Sequence, residues 1–245
     1  MLSSKQTGQS SSPVNCWAII PAAGVGARMG ANCPKQYLPL SGRTVIEHSL
    51  DALLNHLEIC GAVVAISETD GYWADLAYQH EKPVHKAQGG TERCHSVLNA
   101  LHVLAEFASA DDWVLVHDAA RPCVRQDDIT QLIERCQSHA VGGILAVPVK
   151  DTIKQSFKQS DQNPLIRKTI DRDSLWHAQT PQMFRLGMLR DALQQALADG
   201  VSITDEASAL EHAGQHPLLV EGHADNLKIT RPEDLPLAEF YFSQR

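Results

Sequence analysis

A loop of small residues follows an apolar run near the start of the sequence and carries two cations. Residues 21–30 (PAAGVGARMG) come directly after the run at 17–20 (WAII), and Lys35 follows within the same excursion. Backbone N–H groups in such a loop approach phosphate oxygens closely, and Arg28 and Lys35 flank the glycines with positive charge. The pattern predicts a site for a phosphorylated ligand such as a triphosphate. The alternative is a plain glycine turn with solvated surface cations.

The glycine spacing argues against two common nucleotide-binding motifs. A Walker loop requires G-x-x-x-x-G-K-[ST], and the sequence contains no match. A dinucleotide loop has the spacing G-x-G-x-x-G, whereas here the third glycine, Gly30, comes one place late. Ser67 follows the second apolar run, where a dinucleotide site would have an acidic residue. A P-loop NTPase is therefore excluded, and an NAD-dependent oxidoreductase is disfavoured.

Three further polar clusters fall at predicted loops. They occupy residues 89–96 (GGTERCHS), 117–122 (HDAARP) and 225–230 (DNLKIT). Taken singly, each also suits a structural role, because paired glycines form turns and Ser96 or Asp118 can cap a helix. Their order behind one glycine loop favours a shared binding site.

Short apolar runs rich in β-branched residues alternate with stretches of helical periodicity. The apolar runs stand at 17–20, 62–66, 113–116 and 144–149. Apolar faces with helical spacing lie at 45–57, 97–104, 129–136 and 188–197. This alternation predicts an α/β fold with a doubly wound, mostly parallel, Rossmann-like sheet. The ligand crevice of such a sheet lies at the carboxyl ends of its strands, where the glycine loop and the polar clusters stand.

Capping signals mark the ends of two more predicted helices near the C-terminus. A short helix is predicted over residues 204–213, ending at Gly214. Thr230 and Glu233 have capping-box spacing ahead of a last helix, with Pro232 in its first turn.

Residues 150–172 break the alternation with a polar segment that contains the turn signal Asp-Gln-Asn-Pro. We interpret this segment as a protruding β-hairpin arm. An isolated hairpin is marginally stable at best, so the arm is expected to pack on a second subunit, and a surface excursion of a monomer is the alternative. We expect residues 16–245 to form a single domain that carries this arm, preceded by a disordered tail at 1–15.

Composition narrows the class of protein. The chain has 245 residues, 43% hydrophobic and 20% charged, which is ordinary for a globular domain. Its formal net charge of -8 disfavours nucleic acid as a partner. The apolar runs are far shorter than the roughly 20 residues that span a bilayer, so no membrane partner is expected. The six cysteines are dispersed and lack zinc spacing, which predicts reduced thiols and a cytoplasmic location.

A histidine pair in the C-terminal third has the spacing of a helical metal site. His212 and His216 stand four residues apart, but Gly214 between them is expected to end the helix. We therefore discount a metal site at this pair.

Four further segments discriminate among families of this fold class. They are 149–154 (VKDTIK), 171–172 (DR), 175–182 (LWHAQTPQ) and 204–208 (TDEAS). With the glycine loop and the polar clusters, they resemble the 2-C-methyl-D-erythritol 4-phosphate cytidylyltransferases of the non-mevalonate isoprenoid pathway, from Trp17 to Phe240. One departure is Thr91, because the family often has an acidic residue after the second glycine of G-G-x-x-R-x-x-S.

The resemblance implies a nucleotidyltransferase that moves CMP from CTP to methylerythritol phosphate and releases pyrophosphate. The nucleophile is a phosphate oxygen, which is already ionised near neutral pH because its second pKa is about 6. No general base is needed, and cations are expected to stabilise the charge that builds on the phosphoryl oxygens. The resemblance also implies Mg²⁺, held mainly by the CTP phosphates, and a homodimer whose arm reaches into the partner's site.

The same resemblance implies roles for individual residues. The catalytic residues would be Arg28, Lys35, Arg172 and Lys228. The nucleotide would be bound by Ala22, Ala23, Gly24, Gly90, Ser96, Asp118, Ala119, Arg121 and Thr180. The acceptor would be bound by Thr152, Arg172, Thr204 and Lys228.

Two alternatives stay open from the sequence. The acceptor could be another polyol phosphate, such as ribitol 5-phosphate, because acceptor choice depends on the few residues around Thr152, Arg172 and Thr204. The chain could also be a catalytically silent nucleotide-binding module. The presence of all four predicted catalytic cations disfavours a silent module, since a sensor needs no residues to orient an acceptor.

Overall fold

A mostly parallel sheet forms the centre of the fold in the computed structural model, which describes residues 15–24, 33–157 and 163–244. Within these residues the sheet has seven strands in the order β11-β7-β10-β6-β1-β4-β5. β10 is antiparallel to both of its neighbours, and the other pairs are parallel. The strands are β1 (Cys16–Pro21), β4 (Ile59–Ile66), β5 (Val84–Gln88), β6 (Trp113–Val116), β7 (Gly142–Pro148), β10 (Trp176–Arg185) and β11 (Leu218–Glu221). This sheet confirms the predicted fold class.

Helices cover both faces of the sheet. Helices α1 (Val45–Leu54) and α4 (Gln126–Gln137) pack on one face, and α3 (Arg93–Leu104), α5 (Leu186–Ala198) and α6 (Glu206–His212) pack on the other. Elements outside these layers include β2 (Pro39–Leu40), β3 (Arg43–Thr44), α2 (Tyr72–Leu76) and α7 (Asp234–Ser243).

The period of two along a strand explains why the central strands are apolar throughout. Ile19 of β1 packs with the α3 and α5 side of the sheet, whereas its neighbour Ile20 packs with the α1 and α4 side. Val63 and Val64 of β4 divide between the two cores in the same way. Strands buried on both faces lack polar alternation, as in other doubly wound sheets.

The strand order reverses at β1, and this reversal creates the crevice. From β1 the chain moves to β4 and β5 on one side and then returns to β6 on the other. The loops leaving β1 and β6 therefore diverge, and the carboxyl ends of these two strands border an open space where ligands of this fold bind.

The predicted arm is a separate antiparallel hairpin. Strand β8 (Ile153–Phe157) pairs with β9 (Leu165–Ile170), and Ile153 lies opposite Ile170. Residues 158–162 of the arm lie outside the described residues, as does the predicted tail apart from Asn15. Phe157, Leu165 and Ile166 are exposed, the last at 66%.

Three local predictions are wrong. The helix α1 ends at Leu54, so Leu57 is not on its buried face and is 96% exposed. The helix α6 begins at Glu206, because the carboxylate of Asp205 accepts a hydrogen bond from the Ser208 N–H at 3.0 Å and ends the loop there.

The capping box predicted for Thr230 and Glu233 is also replaced by another arrangement. Asp234 accepts hydrogen bonds from the N–H groups of Thr230 at 2.7 Å and Arg231 at 2.8 Å. The helix α7 therefore starts at Asp234, and Pro232 precedes it. Because Asp234 accepts from both of these N–H groups, Glu233 is not the side chain that caps this turn.

Among the described residues, no helix is long and apolar enough to cross a membrane.

Candidate active site

A cavity of about 390 Å³ opens beside the carboxyl ends of β1 and β6. Its walls come from residues 21–24 at the end of β1, from 90–93 and Ser96 after β5, from 118–120 after β6, and from Lys35 and Lys228. These segments are distant in sequence, and the reversal of strand order brings them to one place.

One wall of the cavity consists of backbone and small side chains. A Cβ atom added at Gly89 would lie 2.3 Å from the Cβ of Ala23, so the loops after β1 and β5 approach too closely for any other residue there. The Gly90 N–H donates to Ser96 Oγ at 3.0 Å. The serine thus fixes the loop that exposes backbone groups to the cavity.

Lys35 enters the cavity from a single 3-10 turn, Lys35–Tyr37. The buried side chain of Gln36 donates to the Ala22 carbonyl at 2.7 Å and ties this turn to the loop after β1. Lys35 Nζ donates to the Ile229 carbonyl at 2.9 Å. Its charge is therefore held between the first and last segments of the site.

A buried carboxylate, Asp118, is surrounded by cations. Its Oδ1 accepts from Arg93 Nε at 2.9 Å, and its Oδ2 lies 2.8 Å from Lys228 Nζ and 3.6 Å from Arg121 Nε. Burial would raise the pKa of Asp118, but the charges of Arg93, Lys228 and Arg121 outweigh it and hold that pKa well below its usual range. The carboxylate is thus ionised and orients the three cations around the cavity.

The segment that carries Lys228 is docked through its backbone. The Ile229 N–H donates to the Ala120 carbonyl at 2.8 Å, and Arg121 Nη1 donates to the Asn226 carbonyl at 2.6 Å. The side chain of Asn226 donates to the Thr180 carbonyl at 2.8 Å. The position of Lys228 therefore depends on the loop after β6 and on β10.

His117 stabilises the loop after β6 from inside the core. Its Nε2 lies 2.9 Å from the Arg121 carbonyl, which can only accept, so Nε2 carries the proton. Nδ1 then accepts from the Thr180 hydroxyl at 3.0 Å, and Thr180 Oγ1 accepts from the Asp118 N–H at 3.0 Å. This chain requires a neutral imidazole, and burial lowers the pKa of His117 to about 4.

The stability of the protein should therefore fall as the pH drops from 7 to 5. An unfolded histidine has a pKa of about 6.5, so in this window the unfolded chain takes up a proton that folded His117 refuses. The contribution is fully present above pH 6.5, and roughly 2 kcal/mol of the free energy of unfolding should be lost by pH 5. Urea unfolding of the wild type and the His117→Gln variant at both pH values measures it.

The control for this measurement is His216→Gln, which replaces an exposed histidine. This variant should keep the pH dependence of the wild type, whereas His117→Gln should lose most of it. Equal pH dependence in all three proteins would contradict a neutral buried His117.

The structure brings most of the predicted site residues together. The cavity is lined by Ala22, Ala23, Gly24, Lys35, Gly90, Ser96, Asp118, Ala119 and Lys228. Arg121 lies beside it, and its buried Nε has no hydrogen-bond partner among the described residues. Thr180 lies behind Asp118 and holds its backbone.

Three predicted residues lie elsewhere, and a fourth is not among the described residues. Thr152 and Arg172 belong to the arm, are exposed, and do not line the cavity of their own chain. Arg172 donates to the Lys150 carbonyl within the arm. Thr204 is exposed at the start of the α6 region, and Arg28 lies outside the described residues.

Two charged residues near Asp118 were assigned no role in the sequence analysis. Arg93 lines the cavity and contacts Asp118, and Glu206 pairs with Arg93 from α6. Both stand inside quoted motifs, GGTER and TDEAS. Their pairing joins positions 113 residues apart, for which the sequence carries no local signal.

Comparisons with known proteins agree with this geometry. The sequence profile of the 2-C-methyl-D-erythritol 4-phosphate cytidylyltransferase family matches residues 16–244. The chain belongs to this family. The chain is 55% identical to the cytidylyltransferase of that name from Vibrio vulnificus strain YJ016 over 227 residues, which are 93% of this chain and 94% of the relative.

Other members of the cytidylyltransferase family are similarly close. The enzyme of the same name from Pseudomonas putida strain GB-1 is 54% identical over 220 residues, covering 89% of this chain and 92% of the relative. The crystal structure of the Francisella tularensis cytidylyltransferase superposes with a TM-score of 0.79 at 40% identity, covering 93% of this chain and 99% of that one. The likeness therefore extends over the cavity and the arm together.

Proposed function

We propose that this chain transfers CMP from CTP to 2-C-methyl-D-erythritol 4-phosphate in isoprenoid precursor biosynthesis. The observation that carries the proposal is the cavity in which Lys35, Lys228 and Asp118 meet the small-residue wall at the strand reversal. Membership of the family supplies the identity of the two substrates.

The reaction needs charge stabilisation and positioning more than proton transfer. A phosphate oxygen of the acceptor forms a bond to the α-phosphorus of CTP, and the bond from that phosphorus to the bridging oxygen breaks as pyrophosphate leaves. The nucleophile is already ionised at neutral pH, so no side chain has to remove a proton. The demand on the protein is to bring two polyanions together in line.

The cations of the cavity suit this demand. We propose that Lys35, with Arg28, binds the CTP phosphates and stabilises the charge on the transferring phosphoryl group. Lys228 and Arg121 border Asp118, and we assign Lys228 with Arg172 to the acceptor phosphate. The buried Nε of Arg121 makes no hydrogen bond among the described residues and lies 3.6 Å from Asp118 Oδ2, and we propose that an anion in the cavity supplies its acceptor.

The small-residue wall suits a pyrimidine base. The backbone at residues 22–24 and 90 borders the cavity, and Ser96 holds Gly90 in place. Polar backbone groups can bind the edge of cytosine, and we propose that the close approach of the two loops at Gly89 and Ala23 favours a pyrimidine over the larger purine. Thr91 lines the same wall where relatives often have an acid, so we assign base binding to the backbone there.

We also propose Mg²⁺ as the cofactor. The described Glu92, Cys94 and His95 lie close together, but their sulfur and nitrogen donors do not suit this ion, which prefers oxygen ligands. Asp118 offers oxygen ligands but is already paired with three cations. The CTP phosphates would therefore hold the ion, which neutralises charge on the phosphate oxygens when bound.

The arm supports a homodimer. Its strands expose Phe157, Leu165 and Ile166, and its Thr152 and Arg172 do not line the cavity of their own chain. We propose that the arm buries these apolar side chains on a partner and brings Thr152 and Arg172 to the partner's acceptor. We further propose a single domain over residues 16–245 and a cytoplasmic location, which the six free cysteines support.

Pyrophosphate release tests the proposed function. With CTP and Mg²⁺, we expect release with methylerythritol phosphate and none with ribitol 5-phosphate or without an acceptor. Replacing CTP by ATP is the matched control and should abolish release. Release with ribitol 5-phosphate but not with methylerythritol phosphate would support CTP as the nucleotide and overturn the proposed acceptor. If no pyrophosphate is released with either acceptor, the proposed transferase activity is contradicted.

A further inference from the structure

Glu206 is a buried carboxylate that lies behind the cavity rather than in its wall. It stands at the first position of α6 and is 1% exposed. Its Oε1 accepts from Arg93 Nη1 at 2.6 Å, and its Oε2 accepts from Arg93 Nη2 at 3.0 Å. This bidentate pairing holds both terminal nitrogens of one guanidinium on one carboxylate.

The pairing limits how Arg93 can contact Asp118. Both terminal nitrogens of Arg93 face Glu206, and its contact with Asp118 is made by Nε, from which Asp118 Oδ1 accepts at 2.9 Å. The second oxygen of Asp118 is thereby left for Lys228, at 2.8 Å. A fixed sequence of contacts thus connects α6 to the lysine of the cavity through two buried carboxylates.

Loss of the Glu206 charge would redistribute these contacts. A free guanidinium prefers to bind a carboxylate with two parallel N–H groups. Arg93 would then turn its fork towards both oxygens of Asp118. Lys228 would lose its partner and its orientation, although the polypeptide around it would be unchanged.

We infer that Glu206 is a positioning residue that holds Arg93 away from one oxygen of Asp118 and so keeps Lys228 directed into the cavity. The role of Lys228 in this inference rests on the proposed function. Glu206 does not line the cavity itself, and its contact with the wall is the pairing with Arg93, so its effect on the reaction must pass through Arg93 and Asp118.

The kinetic test uses Glu206→Gln, which keeps the shape of the side chain and removes its charge. We expect kcat/KM for methylerythritol phosphate to fall roughly tenfold to a hundredfold, because a displacement of about 1 Å at a positioning group has effects of this size. The KM for CTP should stay within about threefold of the wild type, since Lys35 and the small-residue wall do not contact Glu206.

A double-variant comparison distinguishes positioning from general damage. Lys228→Met should lower kcat/KM, and adding Glu206→Gln to it should cause little further loss if both act through one contact. Glu211→Gln changes an exposed glutamate of the same helix and should match the wild type. Additive losses, or a Glu206→Gln enzyme within about twofold of the wild type, would overturn the inference.

A crystal structure of Glu206→Gln gives a readout that does not need turnover. We expect Arg93 to bind both oxygens of Asp118. Lys228 Nζ should then lie more than roughly 4 Å from Asp118 Oδ2, which is beyond the limit of an ion pair. An unmoved Lys228 would overturn the inference even in a protein without the proposed activity. A wild-type enzyme that fails to release pyrophosphate would instead count against the proposed function.

Discussion

Lys35→Ala is expected to lower the turnover of CTP and methylerythritol phosphate by roughly a hundredfold or more, the usual loss for one preorganised donor at a developing charge. Lys35 Nζ borders the cavity and donates to the Ile229 carbonyl, so its charge is held in place before a substrate arrives. Such preorganisation is what makes a cation effective in the transition state. Arg28→Ala is expected to cause a loss of the same order.

The fold should survive Lys35→Ala. The buried side chain of Gln36, which this variant keeps, ties the 3-10 turn to the loop after β1, so thermal unfolding of Lys35→Ala should resemble that of the wild type. Lys86→Ala, which removes an exposed lysine of β5, is the matched control and should retain full activity. Turnover near the wild-type rate in both Lys35→Ala and Arg28→Ala would refute their assignment.

Arg172→Ala is likewise expected to lower activity by roughly a hundredfold or more, and mixing it with Lys35→Ala should restore part of it. In a dimer whose arm serves the partner's site, a mixed dimer contains one site with both Lys35 and Arg172 intact. With random exchange, half of the dimers are mixed and each has one intact site, so roughly a quarter of the wild-type activity should return.

Each variant alone sets the baseline for this recovery. Arg167→Ala, an exposed arginine on the same arm, is the matched control and should behave as the wild type. If subunit exchange is verified by a labelled subunit and activity does not return, Arg172 acts in its own chain or not at all. If Arg172→Ala is nearly as active as the wild type, the assignment of Arg172 to the acceptor site is wrong.

The architecture could be predicted from local patterns because each strand is apolar on both faces. Neighbouring residues such as Ile19 and Ile20 enter opposite cores, and this double burial produces the unbroken apolar runs that predict a parallel sheet. The arm was predictable for the opposite reason. Its polar strands and turn signal do not fit a two-sided core, and they form a separate hairpin.

The exact ends of the helices could not be predicted, because neighbouring residues offer alternative end points and capping groups that the sequence pattern does not distinguish. Leu57 continues the apolar spacing of α1, but the chain leaves the helix at Asn55 and exposes it. At α7, Asp234 and Glu233 are neighbouring carboxylates, and the one that meets the N–H groups of Thr230 and Arg231 is decided by the path of the preceding loop.

Apolar periodicity and motif spacing are properties of consecutive residues, so the fold class, the family and the loops that border the cavity could be predicted from residue order. The pairing of the charges could not be predicted in this way. Arg93, Asp118, Glu206 and Lys228 come from segments far apart in the chain, and their contacts exist because the sheet brings the ends of its strands to one edge. Which oxygen of Asp118 each cation receives depends on angles and distances between those segments, and residue order does not encode these locally.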